Sequence, residues 1–129
     1  MRVLIDTHVF LWWVGGRAGR ISARATEVIQ DPSNEIFVSA VTGMEIASKS
    51  SRGRLELPGP AERYVPNRIG RHGFHQLAID LAHALRAGSL PDIHGDPWDR
   101  LLVAQAQLES MPIATGDAAI GQYDLDVIW

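Results

Sequence analysis

Val3-Leu4-Ile5-Asp6-Thr7-His8-Val9-Phe10-Leu11-Trp12-Trp13 lies at the start of the chain and decides its class. The β-branched and aliphatic run from Arg2 to Ile5 reads as a buried strand. Asp6-Thr7 supplies N-cap chemistry for a helix through Trp13, and Gly15 and Gly16 end that helix. A strand feeding a helix with no hairpin turn is the first half of a βαβ unit. The alternation continues outward. Ser22 caps a helix from Ala23 to Gln30, closed by Asp31-Pro32, and Glu35 to Ser39 is a second strand, followed by a helix from about Val41 to Arg52. Leu55 to Pro60 is a loop. Ala61 to Arg71 reads as helix, which Pro66 is expected to kink or split. Phe74 to Ile79 is a third strand, Asp80 to Ala87 a helix ending at Gly88, and Ser89 to Gly95 a turn-rich connector. Asp96-Pro97 opens a helix to about Glu109. Ile113 to Thr115 and Asp126 to Trp129 complete the strands. The expected architecture is a single domain, residues 1–129, folded as a three-layer α/β/α sandwich around a parallel sheet of four to five strands, Rossmann-like in plan.

Composition agrees and narrows the chemistry. The 129 residues are 46% hydrophobic and 21% charged, which excludes disordered, collagen-like and coiled-coil chains. With no cysteine there is no disulfide framework, thiolate zinc site or cysteine nucleophile. The apolar run Val9 to Val14 is far too short to span a membrane, and Asp6 and His8 interrupt any secretory h-region. The cytoplasm is the expected compartment. The net charge of −3 hides an asymmetry. Lys49, Arg52, Arg54, Arg63, Arg68 and Arg71 crowd the middle against Glu56 and Glu62, whereas the remainder from Gly73 is acidic. The basic stretch is either a grip on RNA phosphates or plain solvated surface.

In open parallel sheets ligands bind at the carboxyl ends of strands. Asp6 directly follows the first strand, and Asp117 follows the Ile113–Thr115 strand after one glycine. Glu45 lies early in the helix after the second strand. Asp99 heads an apolar stripe, since Leu102, Val103 and Ala106 fall within about 60° of it on a helical wheel. Four carboxylates from four βα junctions would therefore meet at one rim. Like charges about 4 Å apart repel by roughly 4 kcal/mol at an effective dielectric near 20, so such a cluster needs shared protons or a divalent cation. Oxygen ligands without thiolate favour Mg²⁺ or Mn²⁺, ions suited to phosphodiester cleavage. Each acid also has a structural alternative. Asp6 and Asp96 serve as helix caps, Asp99 as a partner of the helix dipole, and Asp117 as a turn residue. Glu45 has Lys49 at i+4 and Arg52 at i+7, the spacing of an exposed ion-pair ladder. Trp12 and Trp13 read as packing residues or as platforms for unpaired bases. His8, in the same turn as Asp6, reads as a local cap or as a substrate neighbour.

These residues also carry a resemblance. Val3 to Trp13, Glu45-Ile46-Ala47, Gly53-Arg54-Leu55-Glu56-Leu57-Pro58, Asp96-Pro97-Trp98-Asp99-Arg100 and Thr115-Gly116-Asp117 together resemble a PIN-domain nuclease, most nearly the VapC-type toxins of bacterial toxin–antitoxin modules. The resemblance implies a Mg²⁺- or Mn²⁺-dependent endoribonuclease that dimerises and is held inactive by a VapB-type antitoxin. The family's acidic quartet falls on Asp6, Glu45, Asp99 and Asp117. Asp96 falls on an additional acidic position of this branch, Thr115 on a hydroxyl near the metal, and Arg100 on the arginine closing the Asp-Pro-x-Asp-Arg block. Two departures stand out: Gly43-Met44 where the family usually has Leu-Trp, and Gly116 where a charged residue is common. Two rival readings remain, an aspartate-based phosphatase, weakened by His8 at the second acid position, and a catalytically idle domain that binds RNA or a partner.

Overall fold

The computed structural model describes all residues from Met1 to Trp129. Five parallel strands form one sheet: β1 (Arg2–Ile5), β2 (Glu35–Ser39), β3 (His75–Leu77), β4 (Ile113–Ala114) and β5 (Val127–Ile128), in the order β3-β2-β1-β4-β5. Six α-helices connect and cover them: α1 (Thr7–Val14), α2 (Ala23–Gln30), α3 (Ala40–Ser51), α4 (Ala61–Arg71), α5 (Leu81–Ser89) and α6 (Pro97–Leu108). The expected sandwich is the observed one. β1 is buried on both faces because it is central, with Leu4 beside Phe37 of β2 and Ile113 of β4.

The period of two along β1 divides the core. Val3 and Ile5 join Val9, Phe10, Ile46 and Ile69 on one face, whereas Leu4 joins Leu102, Val103, Ile113 and Ile120 on the other. α6 supplies much of the second layer with the stripe headed by Asp99, its Leu102 and Val103 fully buried.

Three details differ from the sequence reading. Pro66 neither kinks α4 into two nor ends it. The carbonyl that loses its donor there belongs to Glu62, an exposed residue, so the missing bond falls on the solvent side of the helix. β3 is three residues rather than six, an edge strand kept short. α5 runs through Gly88 to Ser89 instead of ending at the glycine.

β1 lies between β2 and β4, so the chain winds outward in both directions from the β1–β4 seam. The backbone N–H of Asp6 donates to the Ala114 carbonyl across it at 3.1 Å. A crevice at the carboxyl ends of the strands opens where winding reverses. That seam positions the site.

Candidate active site

Asp6 caps α1 and faces the seam at once. Its Oδ1 accepts the Val9 N–H at 2.8 Å, and its Oδ2 accepts the hydroxyl proton of Thr115, which closes β4. The side chain is buried, and desolvation holds its carboxyl above the usual Asp range against both hydrogen bonds. Thr115 Oγ1 in turn accepts the Asp117 N–H at 3.0 Å, so the two aspartates across the seam share one hydroxyl. Asp117 Oδ1 accepts the Ala119 N–H at 2.9 Å, which makes it a turn residue, while Oδ2 faces the crevice.

Glu45 is not part of an exposed ladder. Lys49 does meet it, Nζ to Oε2 at 2.6 Å, but the carboxylate is only 4% exposed and Arg52 makes no ion pair with it. Its Oε1 is buried with no hydrogen-bond partner. Thr7 and Thr42 join their hydroxyls at 2.9 Å, tying α1 to α3 one turn before Glu45. α3 passes unbroken through Gly43-Met44, whose Met44 is exposed, so neither residue holds Glu45. A Cβ at Gly43 meets nothing within 4 Å. Gly43→Ala is therefore expected to raise stability by about 0.5–1 kcal/mol in urea unfolding.

Asp99 feels Asp96, Asp117 and Glu45. Burial first, then the neighbouring carboxylate of Asp96, and further Asp117 and Glu45, push its carboxyl up to about 6, with His94 pulling the other way. Asp6 likewise feels Asp117. The four acids thus form one electrostatic unit. Asp96 spends Oδ1 on capping α6, accepting the Trp98 N–H at 2.8 Å, and contributes its charge from beside Asp99.

Two residues lie differently from their sequence expectation. Arg100 does not face the acids. Its guanidinium donates to the carbonyls of Ala87 (2.9 Å), Leu90 (3.0 Å), Pro91 (3.0 Å) and His94 (3.4 Å), clamping the connector between α5 and α6. Its link to the site runs through the backbone of His94. His94 itself, read as part of a loop, stands among the acids. Its Nε2 lies 3.0 Å from Asp99 Oδ2 and 3.5 Å from Asp117 Oδ2. The only sequence signal for it was its place two residues before the Asp96 cap.

Gly116 now has a physical reason. A Cβ there would stand 2.7 Å from the indole of Trp129, whose ring lies against the backbone leading into Asp117. Trp129 in turn neighbours Trp12 (6.5 Å between centroids), and Trp12 neighbours exposed His8 (5.7 Å). Gly116→Ala should cost about 1–3 kcal/mol of stability through overpacking, and W129A should remove that cost in the double variant. Thermal unfolding of the two singles and the double checks it.

Beside the acids runs a groove of ≈ 590 Å³, lined by His8, Trp12, Arg17, Lys49, Arg54 and Tyr64 among others. Part of the basic middle segment thus faces the site. Arg68 instead stacks over Tyr64 at 5.3 Å. A second acid–histidine group, Asp80, His83 and Glu109, lies on the α5–α6 side. There the His83 ring is committed at both nitrogens, Nδ1 accepting the Asp80 N–H at 3.0 Å and Nε2 meeting Glu109 at 3.0 Å.

A buried glutamate oxygen without a partner, a buried aspartate and a second acid held near 6 are what a cation site shows when only the protein is considered. The oxygen donor set fits a hard divalent ion.

Sheet order, seam and acidic crevice define an α/β domain with its carboxylate centre at the switch point. The chain belongs to the PIN domain family, whose model matches residues 3–125. It is 30% identical over 116 residues to Ribonuclease VapC22 of Mycobacterium tuberculosis, covering 89% of this chain and 86% of that protein. In fold it matches VapBC2 from Rickettsia felis bound to a promoter DNA fragment, with TM-score 0.67, 12% identity and coverage of 98% and 97%. A toxin–antitoxin complex from Klebsiella pneumoniae follows with TM-score 0.65, 19% identity and coverage of 98% and 96%. No helix is long and apolar enough to cross a membrane.

Proposed function

We propose that this chain is a Mg²⁺-dependent endoribonuclease, with Mn²⁺ able to substitute, and the toxin partner of a VapB-type antitoxin. The observation that carries the reading is that Asp117 and Glu45 both raise the Asp99 carboxyl and Asp117 also raises that of Asp6, with one buried Glu45 oxygen unpartnered. The similarity to Ribonuclease VapC22 over 89% of this chain supports the reaction class, and the likeness to toxin–antitoxin complexes motivates the partner.

Asp6, Asp99 and Asp117 would hold the cation, and Glu45 would complete the cluster or orient the attacking water. When bound, the cation neutralises phosphoryl oxygens and lowers the pKa of water. Thr115 fixes the carboxylate of Asp6 and the backbone of Asp117 together. Lys49, Arg17 and Arg54 line the adjoining groove, where they can meet the phosphates of a strand leading away from the acids. Their positive charge explains how a chain of net charge −3 accepts a polyanion. The substrate that suits this groove is single-stranded, its bases free to splay.

Purified protein is expected to cleave total RNA in Mg²⁺ or Mn²⁺ and to stop in EDTA. RNA binding without cleavage in either metal would instead favour an idle binding domain, and stable aspartyl-phosphate formation a phosphatase.

Proton competition gives a second check. Asp99, at about 6, must lose its proton to bind a cation. Metal affinity is therefore expected to fall by roughly tenfold per pH unit below that value and to level off above it. For the metal-free fold the sign is opposite. The folded pKa lies above the unfolded 3.8, so the contribution of Asp99 is fully present below about 3.8 and is lost as pH rises to about 6. Calorimetric metal titrations and urea midpoints across this window test both.

A further inference from the structure

Eleven of the twelve cations in this chain are arginines, yet every ion pair it makes involves Lys49 or a histidine. Arg2, Arg86 and Arg100 spend their guanidinium groups on protein acceptors. Arg17, Arg54 and Arg63 are exposed, and their side chains donate to nothing in the protein. Their placement is what makes this informative. Arg17 and Arg54 line the groove beside the acids, together with Pro58 and Tyr64. The same Pro58 and Tyr64 border a more open pocket of ≈ 250 Å³ with Arg63 and Asn67, so groove and pocket are continuous. Asn67 follows Arg63 by one turn of α4, which puts amide and guanidinium on one face. Arg68 stacks over the Tyr64 ring at 5.3 Å and braces the phenol at the junction. Glu56 lines the groove and Glu62 precedes Arg63, yet neither pairs with a cation.

A guanidinium with no internal bond keeps its whole fork of donors, a geometry that matches a phosphate. Cations spaced along a groove with an aromatic ring between them are the features that hold single-stranded nucleic acid. We propose that the α3–α4 loop and α4 form a second RNA subsite, remote from the acids, where Arg63 holds a backbone phosphate and Tyr64 stacks a base. The strand leaving the acids reaches it past Arg54. The inference rests on the ribonuclease reading above for the chemistry, and adds where the remainder of the substrate lies. Binding at this distance does nothing at the reacting phosphate, so it lowers KM without raising kcat.

Fluorescence anisotropy of labelled poly(U) and poly(A) in EDTA, over a series of NaCl concentrations, measures the subsite without cleavage. Wild type, Arg63→Ala, Tyr64→Ala, Tyr64→Phe and, as a control on α5, Arg86→Ala are compared, with circular dichroism to verify folding. For single strands each phosphate contact steepens the slope of log affinity against log salt by about 0.7. Arg63→Ala should flatten it by about that amount and weaken binding several-fold on both polymers. Tyr64→Ala should weaken binding by about 5–100-fold, Tyr64→Phe should restore it, and Arg86→Ala should change neither quantity. In Mg²⁺ the Arg63→Ala loss should appear in KM rather than kcat and should grow with RNA length. An unchanged slope and affinity in Arg63→Ala overturns the inference alone, as does a loss equal on short and long RNA. So does an Arg63→Ala protein that keeps its RNA affinity but no longer holds an antitoxin, because the face is then a protein-docking one. A wild type that binds RNA and never cuts it in Mg²⁺ or Mn²⁺ overturns the ribonuclease reading, and the salt series still decides the subsite.

Discussion

Asp6→Asn is expected to abolish RNA cleavage and, in the same protein, to raise the unfolding temperature of the metal-free form. The two effects share one cause. Asp6 is 4% exposed, and burial holds its carboxyl above the usual range, so its negative charge is a strain on the apo fold. Asparagine keeps an oxygen for the Val9 N–H and is as good an N-cap as aspartate, but its amide nitrogen cannot accept the Thr115 hydroxyl proton, so that hydrogen bond must reverse. What it loses is the buried charge and that one acceptor. Cleavage should drop by more than about a hundredfold, beyond what loss of an outer partner costs. Stability should rise by roughly 1 kcal/mol, or a few degrees in Tm. Asp99→Asn should behave alike, since Asp96, Asp117 and Glu45 all press on it. If Asp6 were only a cap, cleavage would survive the substitution and the melting temperature would scarcely move. Cleavage assays and calorimetry on one preparation separate these outcomes.

Arg100 carries the second large effect. Arg100→Ala is expected to cost about 2–4 kcal/mol, a large share of the roughly 5–15 kcal/mol that a domain has. Its two terminal nitrogens serve four carbonyls, those of Ala87, Leu90, Pro91 and His94, and each charged hydrogen bond is worth about 1.5–3 kcal/mol before non-additivity. Arg100→Lys should fail nearly as badly, because an ammonium cannot spread donors over that fork. Metal affinity should weaken in both variants, since the connector that leads into Asp96 and Asp99 loses its clamp. Urea midpoints and metal titrations check both predictions. Were Arg100 a substrate contact, the lysine variant would keep its stability and metal affinity and lose only RNA binding.

The sequence made the frame legible because local chemistry sets it. The apolar run before Asp6, the Ser22 and Asp96 caps, and the Asp-Pro helix start each act within a few residues, and their elements formed where expected. Asp6 and Asp117 could be placed on one rim by the βα alternation alone. Glu45 was ambiguous because i,i+4 spacing to Lys49 looks the same whether the acid is exposed or buried. Only packing of α3 against the core decided it.

What stayed hidden was long-range. His94 sits in a segment without periodicity, and its approach to Asp99 and Asp117 comes with long-range anchors to Arg100 and the Tyr123 hydroxyl. The glycine at 116 reads as an anomaly until the indole of Trp129, thirteen positions on, is seen against it. Arg100, adjacent to Asp99 in sequence, projects away from the acids because successive helical positions point about 100° apart. Neighbourhood in sequence was a poor guide there.

Asp6, Glu45, Asp99 and Asp117 are proposed to form one divalent-cation centre. Anomalous diffraction from crystals soaked in Mn²⁺ tests it most directly. The predicted result is a peak at the β1–β4 seam, within coordination distance of Asp6, Asp99 and Asp117, that disappears in Asp99→Asn. A seam without a peak, or a peak only at Asp80, His83 and Glu109, would contradict it.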